Sequence, residues 1–246
     1  MLEFKGVEQS ASFLLFERYL LMFDLRYFFM GCIVISVLFA ALYYKDNFMK
    51  KSYGTVIILN GPSASGKSSI QKAFQPLMMP NLWIKHGIDS LFDQPMPDIN
   101  PENLSFWQSK NPIRWVVNSQ DKDNNNVMTL FTGDQGDRVA YGMNSAIAAY
   151  AHAGCNIIVD YIAYKKEWID DLQQKLKGIN TYFVKVNIPL DVLEQREEGR
   201  GTSPKGHACS HYDIVHWDIV YDLQVDSGKQ NPTEIAQKIK EFIAKK

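Results

Sequence analysis

The feature that most constrains this chain is a short loop together with what flanks it. Residues 61–68 read Gly61-Pro62-Ser63-Ala64-Ser65-Gly66-Lys67-Ser68, which fits G-x-x-x-x-G-K-[ST] without a gap. The apolar, β-branched run Thr55-Val56-Ile57-Ile58-Leu59 precedes it and reads as a strand buried on both faces. A helical stretch from about Lys67 to Met78 follows, ended by Pro80. Strand, glycine-bearing turn and helix together bring backbone N–H groups and a positive helix end to one point, an arrangement that suits phosphate. Lys67 is placed to reach the β- and γ-phosphates, and the Ser68 hydroxyl to ligate Mg²⁺. The candidate nucleotide-binding residues are Gly61, Pro62, Ser63, Ala64, Ser65, Gly66, Lys67, Ser68 and Ser69. The motif alone leaves ATPase, GTPase and kinase open.

The rest of the chain sets this loop in an α/β frame. Leu82 to Ile84 reads as a second strand, and residues 93–113, rich in Pro, Asn and Asp, as an irregular insert. Arg114–Asn118 and Val127–Phe131 flank a polar stretch and read as a hairpin, with Asn124, Asn125 and Asn126 at its tip. A small-residue helix is expected over Val139–Ala151, a buried strand over Asn156–Asp160, an amphipathic helix over Lys165–Leu176 and a strand over Thr181–Val186. Pro189 opens a helix at its first position that runs to about Glu198. Leu223–Val225 is a last strand and Pro232–Ala244 a closing helix. Alternating strands and helices imply a mostly parallel sheet with helices on both faces.

Hydrophobicity is unevenly spread. Tyr27 to Tyr44 carries no charge for 18 residues. As a helix that run is about 27 Å long at ~1.5 Å per residue, close to the ~30 Å hydrocarbon core of a bilayer. Tyr27, Tyr43 and Tyr44 sit at its ends, where aromatic belts lie. The expectation is an N-terminal segment, 1–48, with a single transmembrane helix at about 27–44, and a domain over 49–246 that faces the cytoplasm. Met49-Lys50-Lys51 is also a plausible start of a cytoplasmic chain, in which case no anchor is made. Residues 45–246 hold equal numbers of acidic and basic side chains. The whole-chain net charge of −1 argues against a general nucleic-acid binder. Three widely spaced cysteines, Cys32, Cys155 and Cys209, form no disulfide framework and fit a reducing compartment.

Further candidates lie beyond the loop. Asp160 ends the strand Ile157-Ile158-Val159 and is a second Mg²⁺-site element beside Ser68. Asp89 follows the second strand, where a carboxylate accepts the proton of an attacking hydroxyl; a helix N-cap is the competing role. Arg196 and Arg200, four apart at a helix end before a polar loop, suit a lid over phosphates, or a solvated face paired with Glu197 and Glu198. His207, Cys209 and His211 match no common zinc spacing. His216 and Trp217 are either substrate contacts or packing.

These segments, taken in order, resemble chloramphenicol phosphotransferase-like proteins. The resemblance rests on Val56 through Ile70, on Gly87-Ile88-Asp89-Ser90-Leu91 with Met96-Pro97, and on Ala153 through Asp160. It continues through Gln195-Arg196-Glu197-Glu198-Gly199-Arg200-Gly201, then Val215-His216 and Tyr221 through Asp226. It implies a P-loop NTPase fold of the nucleoside-monophosphate-kinase type, with an insert at about 93–137 and a lid at about 196–211. The implied activity is transfer of the γ-phosphoryl group of ATP, with Mg²⁺, to a small-molecule hydroxyl. Lys67 and Ser68 then hold phosphate and metal, Asp89 is the base, and Arg196 and Arg200 are lid arginines. The family's lid continues Arg-Gly-Asp-Arg, whereas here Thr202-Ser203-Pro204-Lys205 follows Arg200-Gly201; the family strand often ends Asp-Asp, and here it ends Asp160-Tyr161. The loop also resembles that of guanylate kinases, but residues 79–100 lack the basic segment those enzymes need. A second function class, a membrane-tethered ATP-binding regulator, shares the loop and differs in lacking acceptor-dependent ADP release.

Overall fold

The computed structural model describes residues 15, 18, 27–40, 52–88, 96–120, 126–201 and 205–246. The chain divides into two units, Met1–Lys51 and Ser52–Lys246. In the first, residues 27–40 form helix α1. Among the described residues no helix is long and apolar enough to cross a membrane. Residues 41–44, the end of the expected transmembrane helix, lie outside the described residues.

The second unit runs β1 (Val56–Asn60), α2 (Lys67–Met78), β2 (Trp83–Gly87), α3 (Leu104–Trp107), β3 (Ile113–Gln120), β4 (Asn126–Thr132) and α4 (Asp134–His152). It continues with β5 (Asn156–Tyr161), α5 (Lys166–Lys175), β6 (Thr181–Asn187), α6 (Leu190–Arg200), α7 (His207–Ser210), a 3₁₀ turn at Ile214–His216, β7 (Leu223–Asp226) and α8 (Pro232–Ile243). Five strands form one parallel sheet in the order β2-β5-β1-β6-β7. β1 is central, pairing Val56 with Ile157 on one side and with Thr181 on the other. Every residue of β1 is buried, as its run of branched apolar side chains requires.

Alternation along the strands splits the core. Val56, Ile58, Ile157 and Val159 pack with Met143 and Ile147 of α4 and Ile169 and Leu172 of α5. Ile57, Leu59 and Ile158 pack with Ile70 and Phe74 of α2 and Ile235 and Ile239 of α8. Helices thus cover both faces, and the phosphate loop leaves the carboxyl end of β1. There the chain order switches, with β5 on one side and β6 on the other, the usual place for a ligand in an open α/β sheet.

β3 and β4 form a separate antiparallel hairpin with a bulge between Val117 and Ser119. Its turn, including Asn124 and Asn125, lies outside the described residues. α4 begins at Asp134, a full turn before the expected Val139. Asp134 and Asp137 favour that helix start electrostatically, and Gly136 lets the first turn approach Ile113 closely. Pro189 is the N-cap of α6, with extended backbone, rather than its first helical residue. Asn231 caps α8 in a capping box, with Pro at its start as expected.

Candidate active site

β1 ends at Asn60, whose amide anchors the root of the loop. Its Nδ2 donates to Val215 O at 2.7 Å and to Tyr221 Oη at 2.7 Å, and its Oδ1 accepts from Ala163 N at 3.1 Å. The Tyr221 hydroxyl therefore directs its own proton to His216 Nδ1, 2.8 Å away. Burial holds His216 neutral, lowering its pKa to about 4 with help from the Lys185 charge, and raises Tyr221 to about 12. Trp217 donates from Nε1 to Ala163 O at 2.6 Å. His216 and Trp217 thus brace the loop from behind.

The loop bends through two left-handed residues, Ala64 at φ 59° and Gly66 at φ 90°. Glycine suits Gly66; Ala64 holds the same region with a Cβ, which costs about 1–3 kcal/mol unless its surroundings enforce it. α2 starts at Lys67 after Gly66, which has no side chain to cap it, so the positive end of the helix faces the loop, as an anion site requires. Lys67 is buried; its Nζ donates to Gly61 O (2.9 Å) and Pro62 O (2.7 Å) and lies 3.4 Å from Asp160 Oδ1. Ser68 Oγ donates to Asp160 Oδ2 at 2.6 Å. The three residues named for phosphate and metal thus meet at the carboxyl edge of β1 and β5. Of the six oxygens around Mg²⁺ a protein commonly supplies one or two, with phosphate and water giving the rest, so Ser68 Oγ and the Asp160 carboxylate fit it.

Gly87 pairs with Asp160 in the sheet, and Ile88 N donates to Asp160 O at 3.1 Å. Asp89 lies outside the described residues. Arg196, on α6, sits beside Gly66 and donates from Nη2 to Ser227 O at 2.7 Å. Arg200 is exposed at the end of α6, and its charge reaches His207. Glu197 pairs with neither arginine. It is buried, and its carboxylate accepts from Gly206 N at 2.9 Å and Ala208 N at 2.6 Å. Burial raises its pKa, against the lowering effect of those two bonds.

What sequence reasoning missed is α7. This four-residue helix places His211 against the loop, where Ser63 N donates to its Nε2 at 3.0 Å, and His207 against Tyr164 Oη at 3.0 Å. The rings cluster closely: Trp115 to His207 at 4.0 Å, His207 to His211 at 4.5 Å, Tyr164 to His211 at 4.9 Å. Burial, then the Lys67 and Arg200 charges, lowers His207 to about 4; burial, His207 and Lys67 lower His211 well below its usual range. Among the described residues no group of three or more His, Cys, Asp or Glu could hold a metal ion. The only signal in sequence was His-x-x-x-His after a glycine, which puts both rings on one side of a helical turn.

Residues 54–244 match the family model for chloramphenicol phosphotransferase-like protein. The chain belongs to that family. Family membership supports a phosphotransferase acting on small molecules. Proteins from two strains of Mycobacterium tuberculosis, provisionally named O-phosphotransferases, are 29% identical over 188 residues, 76% of this chain and 81% of theirs. Among solved structures, the APS kinase CysC of Mycobacterium tuberculosis, in complex with AMPPNP and APS, aligns with TM-score 0.53. It is 16% identical, over 78% of this chain and 98% of that one. A Janibacter sugar kinase aligns with TM-score 0.50 at 16% identity, over 78% of this chain and 95% of that one. These likenesses establish the α/β fold with a parallel sheet.

Proposed function

We propose that this family member moves the γ-phosphoryl group of ATP to a hydroxyl of a small molecule. The observation that carries the reading is the meeting of Lys67, Ser68 and Asp160 at the uncapped start of α2. Lys67 Nζ, which donates to Gly61 O and Pro62 O at the mouth of the loop, is within reach of the β- and γ-phosphate oxygens of a bound nucleotide. Mg²⁺ held by Ser68 Oγ and Asp160 would offset the charge of those oxygens. Asp89, two residues after Gly87 in the sequence, takes the acceptor's proton as the new O–P bond forms and the bond to ADP breaks. Arg196 and Arg200, in the lid at 196–211, offset the charge that builds on the transferring group.

The proposal extends to location. The uncharged run 27–44 anchors the chain in a membrane, with the second unit in the cytoplasm, where ATP is. A product started at Met49 is cytoplasmic. Carbonate extraction of membranes, with N-terminal peptide mapping, separates the two.

The enzymatic test is a mass-spectrometric screen. Full-length protein, Mg²⁺ and ATP are incubated with a pooled metabolite extract, and new phosphomonoesters are compared with those made by Lys67→Ala and Asp89→Asn. A product made by wild type and missing from both variants is expected, with Asp89→Asn still binding ATP. Turnover persisting in Lys67→Ala would reject the loop as the site. Only slow, acceptor-independent ADP release from wild type would reject the transferase reading.

A further inference from the structure

We infer that His211 is a positioning residue for this phosphate loop: its imidazole holds the Ser63 N–H and so keeps the loop shaped for nucleotide before nucleotide arrives. The inference rests on the reading of the loop as the ATP site. The Ser63 amide can only donate, so His211 Nε2 must accept, and the ring proton sits on Nδ1. The far side of the ring agrees. Ser210 Oγ lies 3.3 Å from Nδ1 and directs its own proton to His207 O at 2.7 Å, which leaves its lone pairs for Nδ1–H. A proton on Nε2 would set two donors face to face. Burial at 1% exposure, then the charges of His207 and Lys67, favour the neutral ring, against the opposite pull of the His207 backbone; Tyr164 packs against the ring.

The loop needs such a hold. Ala64 occupies left-handed backbone that its own chemistry disfavours, so contacts from outside must enforce the bend. They come from α7 twice: through the His211 bond to Ser63, and through Ala208, which packs with Ile188, Leu193 and Ala64. α7 is itself fastened to α6 by Glu197, and Gly206 lies against Asn126 of the hairpin, closer than a side chain would permit. His211 is therefore one point at which the hairpin and α6 act on the phosphate loop, beside the packing of Ala208 on Ala64 and the approach of Arg196 to Gly66.

The test uses the full chain with three variants, His211→Ala, His211→Asn and His211→Gln. The Gln amide oxygen reaches about where Nε2 sits, and the Asn oxygen falls short. Affinity for a non-hydrolysable ATP analogue with Mg²⁺, kcat and KM are measured, with thermal melts as the control for folding. Loss of one buried hydrogen bond predicts about tenfold weaker binding and a similar fall in kcat/KM for Ala and Asn, carried by KM. Gln should stay within about threefold of wild type. Unchanged ATP-analogue binding in His211→Ala would overturn the inference, and so would tighter binding, which would mean that His211 competes with phosphate for Ser63. So would a Gln variant as weak as Asn. Should wild type phosphorylate no hydroxyl compound, the function reading fails while the binding series still decides this one.

Discussion

Glu197→Ala should detach α7 from α6, and the cost can be worked from the two bonds it removes. The carboxylate satisfies the buried N–H groups of Gly206 and Ala208. Leaving a buried donor unsatisfied costs about 1–3 kcal/mol, and partial exposure of α7 to water returns some of it, so about 2–4 kcal/mol is expected. In a unit the size of residues 52–246, 1 kcal/mol moves Tm by about 2–4 °C, so the midpoint should fall by about 5–15 °C. Glu197→Gln should cost less. It keeps one acceptor and turns an NH₂ toward the other amide, but it also removes a buried charge whose raised pKa shows that burial outweighs the two bonds. A cost under about 1.5 kcal/mol is expected. The sign of the pH dependence follows. A carboxyl whose folded pKa lies above its ordinary 4.5 contributes most to stability below that value and less as pH rises through the folded pKa. The gap between wild type and the Gln variant should thus be widest near pH 4 and narrow on going to pH 8. Melts by circular dichroism across that range measure it. An alanine variant that melts with wild type refutes the role of the two bonds, and a glutamine variant that falls as far as alanine refutes the argument about charge.

Other perturbations probe separate parts of the site. On the proposed reading ATP with Mg²⁺ should raise the Tm of wild type in differential scanning fluorimetry, and Lys67→Ala should abolish that rise. Gly206→Ala combines a left-handed φ of 81° with an overlap at Asn126 O, and should lower stability by about 2–4 kcal/mol by denaturant titration. Asn144→Leu leaves Tyr161 Oη without its Asn144 partner and removes the bonds to Trp168 O and Asp171; a loss of about 2–4 kcal/mol is expected in the same assay.

Much of the frame was legible because its signals are local. Val56–Leu59 and Ile157–Val159 are runs of branched apolar residues, and the sheet buries both on two faces. Lys67, Ser68 and Asp160 could be paired in advance because a known loop sits between a strand and a helix, and a second buried strand ends in a carboxylate. The early start of α4 was hidden by Gly136, which reads as a helix breaker and serves instead as a close contact with Ile113. Glu197 looked like an arginine partner on a charged helix face; its cap on α7 depends on a turn that Gly206 makes possible. The Ser63–His211 bond joins residues 148 positions apart, and no periodicity carries information over that distance.

α7 has a further consequence for measurement. Four residues are too few for a helix to persist alone, so its order lasts only while Glu197, Ser63 and the hairpin hold it. The Ala208 and Ser63 amides are each protected by one of those ties rather than by a ladder. Their hydrogen–deuterium exchange rates therefore read the free energy of opening this corner of the molecule, separately from global unfolding. Exchange that slows at both amides together as an ATP analogue is added would report, in solution and without an acceptor, that the loop and its supports close as one unit.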